Sequence, residues 1–188
     1  MAETNTAQIQ LAINAQVTGT QGPATLTGAV QNSALLNLLL TSGVAAAGKI
    51  SQIFAQTYAI VNGAAQDLDL YALGGGNDLV GAAYTNAVLK VLIIQNLGVT
   101  STPAEADYLT IGGDTTTAAC TSILGTNADS IKLPGPATAL LTPTFMLCVP
   151  GATAYAVGAS TTNHKLQLAS GNSGKTINVN VIILGATS

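Results

Sequence analysis

This chain has very little charge. Of its 188 residues only thirteen are ionic, five Lys and eight Asp or Glu, and arginine is absent. Charged residues make up 7% of the sequence, against about 25% in an ordinary soluble domain. Thr, Ser, Asn, Gln, Gly and Ala stand where Lys, Glu and Arg usually keep a folded surface wet and solitary. Such a surface can pack against other protein without stripping water from many ions, a step that costs several kcal/mol per ion. The expectation is a protein much of whose surface lies inside an assembly.

Other absences narrow the function further. Lys49, Lys90, Lys132, Lys165 and Lys175 are scattered and form no basic stripe. No arginine can fork onto phosphate or guanine, so no nucleic-acid partner is expected. Trp is missing, and two Phe and five Tyr leave few aromatic faces for stacking sugars or bases. Residues 1–6 contain neither a basic nor an apolar region and do not read as a secretory signal. The greasiest runs, 34–40 and 88–94, fall far short of the ~20 apolar residues that span a bilayer, so no membrane is expected. Two cysteines, Cys120 and Cys148, make no disulfide framework. They read as buried free thiols, with a single disulfide as the alternative.

What is present has a period of 2. Ile9, Leu11, Ile13, Ala15 and Val17 alternate with Gln10, Ala12, Asn14 and Gln16. Phe54, Tyr58 and Ile60 alternate with Ala55, Thr57 and Ala59, and Leu68 and Leu70 with Asp67, Asp69 and Tyr71. Ile177, Val179, Val181 and Ile183 alternate with Asn178 and Asn180. These are half-buried strands with one wet face. Residues 87–94 are apolar on both parities apart from Lys90, as in a central strand covered on both sides. Shorter strand candidates are 108–111, 145–149, 155–157 and 166–168, and 33–40, rich in Leu and free of β-branched residues, is the one helix candidate. Gly and Pro punctuate the chain at 22–23, 63, 74–76, 112–113, 134–136, 150–151 and 171–174. Many short strands with such turns about every 8–12 residues predict an all-β antiparallel sandwich or barrel. The division expected is an N-terminal strand and arm segment over 1–47, part of the same fold, and a β-sandwich core over 48–188.

No motif carries chemistry well. Gly174-Lys175-Thr176 resembles the end of a phosphate-binding loop, but Ala169 stands where the first Gly is needed and a strand follows instead of a helix. Asp67 and Asp69 share one strand face, as an acid/base pair or half a calcium site would; as wet-face residues they need no such role. His164, the single histidine, sits in a polar turn and reads as solvated. No catalytic residue, metal ligand, cofactor or small-molecule substrate is therefore assigned.

From residue 48 on, the chain resembles the β-sandwich capsid decoration, or cement, proteins of tailed bacteriophages. The matching pieces are Gly48-Lys49, Gly63, Asp67-Leu68-Asp69-Leu70, the strand 88–96, Leu109–Gly113, Pro150-Gly151, Tyr155-Ala156-Val157, Lys165–Leu168 and the closing strand 179–185. Departures are Gly74–Asp78 followed by Tyr84 where the family has an aspartate and a Phe-Gly pair, and Val149 where it often has arginine. The resemblance implies a non-enzymatic virion protein with a jelly-roll sandwich. It implies a homotrimer on the outer surface of a bacteriophage head, partnered by the major capsid protein. Residues 1–7 and 18–27 are the candidates for reaching over neighbours and ordering on docking. Two other readings stay open. One is a different virion part, such as the tail or a head-fibre base. The other is a lectin-like sandwich binding host glycans through exposed Tyr and the Asp67/Asp69 pair.

Overall fold

Alternating apolar and polar residues make extended chain the conformation that buries one face and wets the other. The computed structural model describes residues 6–21, 24–43, 46–61, 63–73, 76–78, 83–99, 104, 106–112, 121–126, 128–136, 142–149, 155–157, 164–171 and 175–187. The elements run β1 (Thr6–Gln21), β2 (Ala24–Ser42), β3 (Lys49–Ile50), β4 (Gln52–Ile60), β5 (Ala65–Asp69), β6 (Val88–Gly98) and β7 (Leu109–Gly112). One helical turn, α1 (Thr121–Leu124), precedes β8 (Ser130–Leu133), β9 (Thr144–Cys148), β10 (Tyr155–Ala156), β11 (Lys165–Ser170) and β12 (Ile177–Ala186).

Strands β4 to β12 form two antiparallel sheets packed face to face, the all-β sandwich that the period predicts. One sheet runs β4-β12-β6, with β9 and β10 both against the far edge of β6; the other runs β5-β11-β7-β8. The core between them joins Phe54, Leu92, Ile94, Val179, Val181 and Ile183 to Leu68, Leu109, Ile111, Leu166 and Leu168.

The doubly apolar run on β6 is covered twice. Leu89, Leu92 and Ile94 enter the core between the sheets. Val91 and Ile93 join a second cluster on the outer face, with Leu40, Ile50, Ile53, Cys148, Ile182 and Leu184. A bulge makes this possible: Leu184 pairs with Val91 but Gly185 with Leu89, so Lys90 is the extra residue. Lys90 is fully buried, and its Nζ donates to the Ala46 carbonyl at 3.1 Å. Burial lowers its pKa.

Buried amides fasten the two ends of the sandwich. Asn96 Nδ2 donates toward the carbonyls of Asp107, Leu133 and Pro134 at 2.9–3.3 Å. At the other end Asn86 Oδ1 accepts from Ala186 N at 3.0 Å, while Asn86 Nδ2 faces the Leu70 carbonyl. A Cβ on Gly185 would overlap this Asn86 amide, so the close approach requires glycine there.

Strands β1 and β2 form a separate antiparallel ribbon, 16 and 19 residues long, paired from Thr6↔Thr41 to Gln21↔Ala24 with a register shift between Leu11 and Ile13. It meets the body at β3, where Thr41 pairs with Lys49 and Ser42 with Ile50. Ala7 and Leu40 enter the outer-face cluster there, and Lys49 Nζ donates to Thr41 Oγ1 at 2.8 Å.

The ribbon corrects one expectation. Residues 33–40 form no helix; they lie in β2, where the register sets Leu36 opposite Leu11, Leu38 opposite Ile9 and Leu40 opposite Ala7. Leu favours helix by only a fraction of a kcal/mol per residue, and an isolated eight-residue helix is marginal. A matching strand across the ribbon outweighs that preference. The sequence reading also overlooked β8, whose Ser-Ile-Lys-Leu is short and pairs with β7 from the sheet edge.

Candidate functional site

The sandwich has an open side where its two outermost strands, β4 and β5, belong to different sheets. A short connection of residues 61–64 carries the chain from one sheet to the other, with Ala64 N donating to the Val61 carbonyl at 3.0 Å. Between the two strands lies a cleft of about 480 Å³, lined by Gln56 and Tyr58 of β4, Gln66, Asp67 and Asp69 of β5, Leu73, and Lys165 of β11.

The two aspartates singled out in the sequence both reach this cleft, in different roles. Asp69 Oδ1 accepts from the backbone N of Tyr71 at 2.9 Å and of Ala72 at 3.0 Å, capping the turn that follows β5. Leu73 N donates to the Asp69 carbonyl at 3.0 Å, and Leu73 itself sits at φ 49°. That left-handed conformation is uncommon for a residue with a branched side chain. Asp67 Oδ2 lies 3.4 Å from Lys165 Nζ, both side chains about one-third exposed or more. One carboxylate thus holds a turn and the other a partly wet ion pair.

Tyr58 is half-buried against the core, and burial pushes its phenol pKa up. It is the one tyrosine of the five that lines the cleft. Tyr71 and Tyr155 pack on the core, Tyr84 is buried within it, and Tyr108 lies under Lys132 Nζ at 4.9 Å from its ring centre. Gln56, Gln66, Leu73 and Lys165 were not foreseen as neighbours, because they come from three strands in two sheets and the turn after β5. Together they offer amide, carboxylate, ammonium and phenol groups around a small space, a set suited to hydroxyl-bearing or neutral polar ligands.

The remaining candidates lie elsewhere. His164 is half-buried, and its carbonyl accepts from Leu70 N at 2.6 Å. Lys175 lies just before β12, 3.5 Å from the fully buried Asp107 Oδ1. Asp107 Oδ2 accepts from Ala104 N at 2.9 Å. Cys148 is a free thiol in the outer-face cluster, where burial raises its pKa. Cys120, Gly174 and the turn at 150–151 lie outside the described residues. Among the described residues no three of His, Cys, Asp and Glu gather as metal ligands would, and no helix is long and apolar enough to cross a membrane.

The chain matches no protein-family profile, no curated protein and no solved structure.

Proposed function

We propose that this chain is a non-enzymatic virion structural protein, a decoration protein bound to the outside of a bacteriophage head and stabilising the shell. The observation that carries the reading is a sandwich body joined to a ribbon of 16 and 19 residues whose sequence is uncharged from end to end. A rigid body with a long uncharged extension suits a protein that holds other protein subunits together. Each contact of about 1,000 Å² or more is specific, and repetition over a closed shell makes weak contacts collectively strong. The major capsid protein is then the partner, a homotrimer the unit, and the outer capsid surface the location.

The strand order supports the finer reading of a jelly roll. From β4 to β12 the chain changes sheet at each step except β7 to β8 and β9 to β10. Two interleaved Greek keys produce that pattern. The roles of Asp67 and Asp69 as ion pair and turn cap also favour a structural protein over a hydrolase.

Cryo-electron reconstruction of the particle carrying this chain tests the proposal. Clusters in hundreds of copies over the outside of the shell are the expected result. A few copies at a vertex or on the tail would move the role to another virion part, and absence from the particle would end it.

A second reading has its own observation, the cleft of Tyr58, Gln56, Gln66, Asp67 and Asp69. Under it the sandwich binds host glycans. An array with hits that Asp67→Asn removes supports it; an array without hits retires it.

A further inference from the structure

Among the described residues the two sheets of the body end in β4, β5, β8, β9 and β10, and these edges are not alike. β8 is four residues long and holds Lys132, β9 is five and β10 two. β5 carries Asp67 and Asp69. Short strands and charges are the usual guards against stray pairing. β4 has neither. It is nine residues long, contains no ionic residue and no Pro, and pairs with β12 from Ile177↔Ile60 to Gly185↔Gln52 without a register shift. Among the described residues no strand pairs with its other side. Alternate N–H and C=O groups of such an edge point outward, a template for one more strand.

The side chains beside this edge define which strand fits, since directly opposed residues share a face. On the outer face Ala55, Thr57 and Ala59 are small, uncharged and exposed, and Val61 just beyond them is 57% exposed. On the inner face Gln56 and Tyr58 line the cleft, which Asp67, Asp69 and Lys165 share. Two carboxylates and one ammonium give the cleft a net negative charge.

We propose that the open edge of β4 takes an extended segment of a partner protein as an added strand. The outward side chains of that segment are uncharged, and one Lys or Arg side chain points inward over Tyr58 toward Asp67 and Asp69. Main-chain hydrogen bonds supply the affinity and the cleft supplies the selectivity. A cation placed there meets a phenol ring as well as carboxylate. About five to seven residues, at about 3.3 Å each, cover the exposed length. The ribbon of a second copy does not match this edge. No residue between Glu3 and Lys49 is ionic, so the ribbon has no basic side chain to insert. The complementary charge has to come from a different protein. A sugar in the cleft would leave the strand edge unpaired.

Capped heptapeptides of alternating Thr and Val, with the central Val replaced by Lys, Glu or Ser, test this on the full chain. By calorimetry the Lys peptide should bind with a Kd below about 100 μM and the Glu peptide at least about tenfold more weakly. Asp67→Asn should shrink that preference to about threefold or less. Hydrogen exchange with the Lys peptide should slow at β4 amides and not at β8, which locates the added strand without any variant. Methylating every backbone nitrogen of the Lys peptide should abolish binding. A Lys peptide that does not bind at about 1 mM, an equal affinity for Glu, a methylated peptide that still binds, or protection away from β4 would each overturn the proposal. So would a glycan-array hit that Asp67→Asn removes while the peptide leaves β4 unprotected; the cleft would then belong to sugars. The virion reading is tested separately: a chain found on shells whose β4 edge takes no strand keeps that reading and loses this one.

Discussion

The body and the ribbon are both antiparallel β-structure, but they differ in charge and in what their strands pair with. In the body each sheet covers the other, and the buried amides of Asn86 and Asn96 are paired. All five lysines and seven of the eight acids lie at position 49 or later. The ribbon's sequence has the same alternation and no ions, and among the described residues Ala7 and Leu40 join it to the outer-face cluster of the body. The body is therefore specified by its own sequence. Scarce charge over the whole chain has two meanings, an ordinary core with a thin ionic coat and an extension with none.

The largest expected effect separates the two regions. Leu92 is fully buried between the sheets, so Leu92→Ala should cost about 3 kcal/mol of unfolding free energy from lost transfer energy plus a cavity. Leu11→Lys, on the ribbon beyond its root at Ala7, should leave the melting midpoint of the body unchanged. Thermal unfolding followed by near-ultraviolet circular dichroism reads both, and equal losses would break the distinction. Leu40→Ala falls between them, at the joint. Leu40 is fully buried against Val91 and Leu184, and truncating it should cost about 2 kcal/mol or more. Limited proteolysis should then cut within the ribbon sooner, with the body still intact.

The sequence reveals the body better than the ribbon or the cleft. Alternation at Ile177–Ile183 predicts an inner and an outer face, and both exist. On the outer parity Asn178 and Asn180 give way to Ile182 and Leu184 where the ribbon's root covers the sheet. That switch is legible once a cover is suspected. The bulge at Lys90 is not, because it depends on how β12 pairs with β6. Leu36 and Leu38 mislead for a related reason: their partners are Leu11 and Ile9, more than twenty residues away. The cleft is equally hidden, since Asp67 and Lys165 stand 98 positions apart. Turns, periods and ends are local and can be read. Pairing partners are not.

Tyr84 sharpens the account of the body through pH. It is buried edge-on to Phe54, with ring centres 6.1 Å apart, and its hydroxyl has no hydrogen-bond partner among the described residues. Burial, the main cause, pushes its pKa far above the usual tyrosine value. The phenol stays protonated in the folded chain while an unfolded chain ionises above about pH 10, so stability is full below that pH and falls above it. The fall approaches 1.4 kcal/mol per pH unit, about the full effect of one proton. Buried Lys90, with its pKa lowered, has the opposite sign and adds stability as pH rises toward about 10. Tyr84→Phe should change stability at pH 7 by about 0.5 kcal/mol or less and flatten the alkaline fall. Melting midpoints from pH 7 to 11 for both chains check it. An unchanged slope would show that another group controls the alkaline limb.

The smallest effect belongs to the cleft between the edge strands β4 and β5. Asp67 and Lys165 are 3.4 Å apart but partly wet, and water and salt screen them. Asp67→Asn should therefore cost under about 1 kcal/mol, and less as salt is added. A double-mutant cycle with Lys165→Met measures the coupling itself. A much larger coupling would mean that the ion pair holds β5 to β11 at the open edge. A small one leaves Asp67 dispensable to the fold, as a residue free to meet a ligand must be.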